Sequence, residues 1–221
     1  MKKAFIIVFL ILVLDQALKI WIKTTMTLGQ EIPVLGNWFV LHFTENEGMA
    51  FGLSFGGPAG KLILSIFRII AAAVIGYYIW HLSKKGASTG LMICFAFIMA
   101  GALGNIIDSA VYGLIFSQSS YHSPAVLFPE GGGYSSFLHG KVVDMLYFPI
   151  IDTTWPEWVP YFGGQPFQFF RPVFNLADSS ITTGVLALII FQRKFFTHKE
   201  VKEEDAQVIE NDQKADLPDQ E

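Results

Sequence analysis

The stretch GLMICFAFIMAGALGNIID, Gly90 to Asp108, decides how this chain folds. From Leu91 to Leu103 it holds only apolar and small residues, and it then ends on Asn105 and Asp108. That is close to the roughly 20 residues a helix needs to cross about 30 Å of hydrocarbon. Three more stretches read the same way. Ala4–Ile22 carries Asp15 and Lys19, Leu62–Trp80 carries Arg68, and Val173–Phe191 opens with Asn175 and Asp178. The spacing predicts a polytopic, all-α membrane protein. Its helices cover about 4–22, 62–80, 90–108 and 174–192, with loops over about 23–61 and 109–173.

Charge orients these helices. Lys2 and Lys3 precede the first, Lys84 and Lys85 separate the second and third, and Arg193, Lys194 and Lys199 follow the fourth. The two long connections are poor in basic residues for their length, so the positive-inside rule puts both termini in the cytoplasm. Asp15, Lys19, Arg68, Asn105, Asp108, Asn175 and Asp178 then all fall toward the outer ends of their helices. Ionisable groups are costly in a bilayer and mark sites or polar paths, so groups at one depth point to a shared site facing outward.

Composition fits one membrane domain, residues 1–198. Of 221 residues, 52% are hydrophobic and 15% charged, with mean hydropathy +0.45, which leaves too little polar sequence for a separate soluble domain. The net charge of −4 mostly reflects residues 199–221, an acidic stretch with little to bury that reads as a disordered cytoplasmic tail. Cys94, the single cysteine, has no disulfide partner within the chain. Lys2–Lys3 and the apolar run after them have the polarity of a signal peptide. No A-x-A-like site follows, however, and apolar character resumes at Ile20–Ile22, so a retained helix is expected.

The loops differ in texture. Residues 31–43 are rich in Val, Phe and Trp around Gly36, which predicts short strands on the membrane surface. The second connection holds a Ser/Gly-rich stretch, then Val142–Val143–Asp144–Met145–Leu146, then a Pro- and Trp-rich run suited to an interfacial aromatic belt.

Several groups are candidates for chemistry. Asp15 and Lys19 stand at i and i+4, where an ion pair is the first expectation. Gly101, Gly104, Asn105 and Asp108 share one helical face, which favours close packing and interhelical hydrogen bonding. Asp178 near a helix start would suit the helix dipole. Asp144 is a lone acid in an apolar run, and by spacing alone Asp152 is just as eligible. HExxH, CxxC and phosphate-loop patterns are absent, and the histidines lack metal-ligand spacing. Carboxylates dominate. Two facing aspartates share a proton, so one can activate water while the other polarises a carbonyl. That chemistry calls for neither metal nor cofactor.

Five motifs then resemble a known family in order: Asp15–Gln–Ala–Leu–Lys19, Asn46–Glu–Gly48–Met–Ala–Phe51, Gly104–Asn105–Ile–Ile–Asp108, Val142–Val143–Asp144 and Phe174–Asn175–Leu–Ala177–Asp178. Over roughly residues 5–192 the chain resembles lipoprotein signal peptidase, the type II signal peptidase of bacteria. The resemblance implies an intramembrane aspartyl endopeptidase that cleaves prolipoproteins before a diacylglyceryl-modified cysteine. The implied fold is four transmembrane helices with a small β cradle on the outer face. The family's catalytic pair falls on Asp144 and Asp178, and Asp15, Asn46, Asn105, Asp108, Asn175 and Ala177 fall on supporting positions, with Lys19 and Gly48 in the same motifs. The expected setting is the bacterial inner membrane. The expected protein is a monomer that meets lipids and prolipoproteins but no nucleic acid, and is sensitive to globomycin.

The chain departs from the family in two places. Arg usually follows the Gly-Asn-x-x-Asp motif, and here Ser109 does, which makes Arg68 the candidate to supply the guanidinium. The outer connections also carry inserts, 109–140 and 150–172, that read as lid, partner surface or tolerated loop growth. Two rivals stand apart. A proton-coupled transporter using Asp15, Asp108 and Asp178 would spread polar residues through the whole membrane depth, whereas the inner halves here are almost wholly apolar. A non-enzymatic scaffold would tolerate Asn at positions 144 and 178.

Overall fold

The computed structural model describes residues 2–48, 57–169 and 171–191. Arg193, Lys194, Lys199, the acidic tail and the end of the Asn46–Phe51 motif lie outside the described residues. Among the described residues, three helices are long and apolar enough to cross a membrane: α1 (Lys2–Thr25), α2 (Gly57–Lys84) and α3 (Thr89–Ile107). A shorter apolar helix, α4, spans Leu176–Phe191.

Helices α1, α2 and α3 extend past the apolar windows read from sequence. The α1 helix has 24 residues and α2 has 28, because the backbone stays hydrogen-bonded after the side chains turn polar. Ser88 caps α3 by accepting from the Leu91 N–H at 3.3 Å. At its other end α3 runs on through a π-helical turn, Asp108–Tyr112, and a last turn, Gly113–Ile115. Widened turns of this kind recur at functional sites.

Burial is inverted relative to a water-soluble bundle. Phe5 on α1, Ile63 and Phe67 on α2 and Ile190 on α4 are exposed, whereas Asp15, Lys19, Asn105 and Asp108 are buried. Apolar faces this extensive are stable against lipid and not against water. The protein is a mostly helical membrane protein with a small sheet.

That sheet is antiparallel, in the order β1 (Glu31–Leu35), β2 (Phe39–Asn46), β3 (Val142–Tyr147), β6 (Val173–Phe174). Gly36 turns β1 into β2 with φ of 54°. Strand β2 runs to Asn46, three residues past the expected boundary, because its end pairs with β3. The register sets Thr44 opposite Asp144, Glu45 opposite Val143 and Asn46 opposite Val142. Between β3 and β6 the chain builds a separate hairpin, β4 (Ile151–Thr154) and β5 (Pro166–Phe169), where sequence gave only a loop. The main core lies where α1 ends against the sheet, with Ile22, Met26, Phe43, Tyr112, Phe116 and Met145 packed together.

Candidate active site

Lys19 is the centre of the polar cluster. Its ammonium lies 2.9 Å from Asp15 and 2.7 Å from Asp108, and it donates to Asn105 Oδ1 at 3.0 Å. The i, i+4 pair on α1 thus gains two partners from α3 and its π turn. Gln16 adds a second bridge, donating to Asp15 at 3.1 Å and to Asp108 at 2.9 Å while accepting from Tyr112 Oη at 3.1 Å. A buried charge is tolerable only when its hydrogen-bonding capacity is met. Among the described residues no buried side-chain nitrogen or oxygen lacks a partner.

This cluster carries the backbone that presents Asp144 and Asp178. The first amides of a helix have no intrahelical acceptor. At α4, Asp15 Oδ1 fills one such gap by accepting from the Ala177 N–H at 2.9 Å. Asn175 fills another, its Oδ1 accepting from the Asp178 N–H at 2.9 Å while Asp178 reaches back to the Asn175 N–H at 3.5 Å. That reciprocal pair is a capping box. On the sheet side, Asp108 Oδ2 accepts from the Val143 N–H at 3.4 Å, one residue before Asp144.

Glycines let these parts meet. A Cβ at Gly101 would stand 2.2 Å from the Ala177 carbonyl oxygen, and one at Gly104 would stand 2.7 Å from Asp15 Oδ2. The small-residue face of α3 therefore receives the start of α4.

Asparagine amides tie the two aspartates together. Asn175 Nδ2 donates to Asp144 Oδ1 at 2.7 Å, and Asn105 Nδ2 donates to Asp178 Oδ1 at 2.7 Å. Asn46 Nδ2 donates to the other oxygen of Asp144, while its own Oδ1 accepts from the Gly48 N–H. Each amide is oriented by a second bond, so none can flip. Asp144 is buried to 2% exposure on β3. Burial, and then the neighbouring charge of Asp178, push its carboxyl up to about 8, against the opposing Asn175 hydrogen bond.

Both carboxylates line a cavity of about 1160 Å³, together with Asn46, Arg68 and the α4 residues Ser179 and Thr183. Arg68 donates to the Gly48 carbonyl, and its charge faces Asp178, Asp108 and Asp144. Gly48 holds φ of 90°, and a Cβ there would stand 2.5 Å from Arg68 Nη1. Ser109 is buried away from this opening, its Oγ donating to the Asn105 carbonyl at 3.0 Å. Asp152, the rival to Asp144, lies on β4 in the separate hairpin.

The sequence reading missed Gln16, Tyr112, Lys23 and Glu45. For Lys23 a signal existed. Asp15, Lys19 and Lys23 recur at i, i+4 and i+8 on one face of α1, but the helix was expected to stop at residue 22.

Known proteins share this architecture. The family described as signal peptidase (SPase) II matches residues 7–194. A lipoprotein signal peptidase of Porphyromonas gingivalis is 50% identical over 185 residues, covering 83% of this chain and 80% of the relative. One of Amoebophilus asiaticus is 38% identical over 209 residues, covering 93% and 84%. A solved bacterial membrane enzyme superposes with a TM-score of 0.58 at 25% identity, over 90% of this chain and 92% of that one. With Asp144 and Asp178 on one cavity and the match running from within α1 through α4, the chain belongs to the signal peptidase II family and is a peptidase of the aspartic type.

Proposed function

We propose that this enzyme removes the signal peptide of prolipoproteins by cleaving before a diacylglyceryl-modified cysteine, with Asp144 and Asp178 as its catalytic pair. The observation that carries this reading is the shared amide network, in which Asn175 donates to Asp144 and caps the helix turn that bears Asp178. Asp144 holds the proton, because burial favours its neutral form. Asp178, at the positive end of the α4 dipole, is the base.

In the reaction a water between them gives its proton to Asp178 as its oxygen bonds to the scissile carbonyl carbon. Asp144 protonates the carbonyl oxygen at the same time. The tetrahedral adduct then collapses: the C–N bond breaks, the leaving amine takes the proton held by Asp178, and one hydroxyl of the adduct returns its proton to Asp144 as the carbonyl re-forms. Asp15, Lys19, Asn105 and Asp108 hold the parts in place, and Arg68 and Gly48 form the wall beside them.

Membrane placement follows from the same reading. Helix α4 is the fourth crossing, both termini lie in the cytoplasm, and the cavity opens near the outer face of the inner membrane. Ser179, Thr182 and Thr183 continue the cavity wall down α4, so a lipid-bearing substrate can enter sideways with its acyl chains still in the bilayer.

The test uses the full chain in lipid vesicles with a diacylglyceryl-modified prolipoprotein. Wild type cuts before the lipidated cysteine, while Asp144→Asn and Asp178→Asn, each folded, leave the substrate whole. Cleavage by both variants at the wild-type rate would overturn the assignment.

A further inference from the structure

A second buried ion pair lies outside the network just described. Lys23, on the last turn of α1, pairs with Glu45 of β2, and both side chains are almost wholly buried, at 0% and 3% exposure. Ser119 joins them, accepting from Lys23 at 2.8 Å and donating to Glu45 at 2.7 Å. The rest of the enclosure comes from the same segment. The Lys23 ammonium sits 5.3 Å from the Phe116 ring centre and 5.1 Å from that of Tyr134. The Lys23 carbonyl accepts from the Ala125 N–H at 3.0 Å. Aromatic faces favour a desolvated cation, so residues 116–134 form a box built for one ammonium.

The box touches the catalytic strands at two points. Glu45 directly precedes Asn46, the donor to Asp144, and stands opposite Val143 in the ladder. Tyr134 Oη accepts from the Lys141 N–H at 2.6 Å, one residue before β3 begins. Both strands are thus fixed at the end where they present Asn46 and Asp144.

We infer that the first insert is a positioning element: it boxes Lys23, which holds Glu45, which sets Asn46 against Asp144. This rests on the reading of Asp144 as catalytic. It makes Glu45, Lys23 and Ser119 positioning residues and gives the insert work other than that of a lid. A misplacement of order 1 Å at a catalytic carboxylate costs up to about a hundredfold in rate, which is the scale at which a remote clamp acts.

The experiment measures kcat and KM for cleavage of the diacylglyceryl-prolipoprotein by the full-length enzyme in vesicles, per folded molecule. The variants are Ser119→Ala, Glu45→Gln, Asn46→Ala and the pair Glu45→Gln/Asn46→Ala. Glu45→Gln lowers kcat at least about tenfold with KM little changed, and Ser119→Ala lowers it less. Because Glu45 acts through Asn46, the double variant loses no more than Asn46→Ala alone. Wild-type kcat in both Ser119→Ala and Glu45→Gln, a rise confined to KM, or losses that multiply in the double variant would each overturn the inference. Where Glu45→Gln fails to fold around the unpaired ammonium, Lys23→Met/Glu45→Gln removes both charges and faces the same kcat criterion. Asp144→Asn runs alongside: if it cuts like wild type, the catalytic assignment falls and this inference with it.

Discussion

Asp15 of α1 accepts a hydrogen bond from the backbone N–H of Ala177 at 2.9 Å, across 162 positions of sequence. The same carboxylate pairs with Lys19, so one residue neutralises a buried cation and starts a distant helix. Asp15→Ala removes both contacts at once. Loss of one partner from a buried ion pair costs about 3–5 kcal/mol, and a large fall in thermal midpoint in detergent is expected. Asp15→Asn keeps an acceptor for Ala177 and falls less. Equal midpoints for wild type and Asp15→Ala would contradict the shared role.

The approach of α3 to α4 makes a graded prediction. At Gly101 the obstacle to a Cβ is a backbone oxygen, which cannot move without shifting the start of α4, whereas at Gly104 the nearest atom belongs to the Asp15 side chain. Overpacking costs about 1–3 kcal/mol, so Gly101→Ala is destabilised more than Gly104→Ala. Thermal unfolding followed by tryptophan fluorescence ranks them, and the reverse order would refute the packing argument.

Activity is expected to depend on pH through Asp144. Its carboxyl is raised to about 8 by burial and by the charge of Asp178. The group therefore keeps its proton below that pH and loses it above. As the proposed acid in catalysis it supports full kcat in the neutral range, and kcat then falls about tenfold per pH unit beyond about 8. A kcat profile recorded over about pH 5 to 10 reads this limb directly. A flat profile to its upper end would remove Asp144 as the proton donor.

Arg68 and Gly48 act as one wall. Arg68→Ala takes a guanidinium from the cavity and leaves the Gly48 carbonyl without that donor. Cleavage is expected to fall about tenfold or more, the scale for a lost charge-assisted contact of about 1.5–3 kcal/mol. Gly48→Ala meets both a left-handed φ and the Arg68 guanidinium, so it loses activity as well. Full activity of Arg68→Ala would leave the guanidinium with no part in cleavage.

Much of this was legible because membrane sequences are written in contrast. A lone Asp15, Arg68 or Asp108 in an apolar run is conspicuous, and the long helices declare themselves by length. What stayed hidden depends on pairing across the chain. The extension of β2 to Asn46 is made by its ladder with β3, and the β4–β5 hairpin has no strict alternation to announce it. The capping box at Asn175 and Asp178 was visible only as a three-residue spacing. The role of Lys23 was lost because α1 was expected to end at residue 22, just short of it, and instead runs to Thr25.

The dependence of α4 on α1 also constrains how a copy of this enzyme comes into being. Synthesis delivers Asp15 and Lys19 first, when they have only each other on a single helix. Asp178 arrives with the final described helix, and the Ala177 amide that Asp15 awaits comes with it. A half-made chain holds Asp144 without Asp178 and an unfinished anchor, so the proposed catalytic pair is complete only once the last described helix has been made. Translation order thus serves as a safety catch.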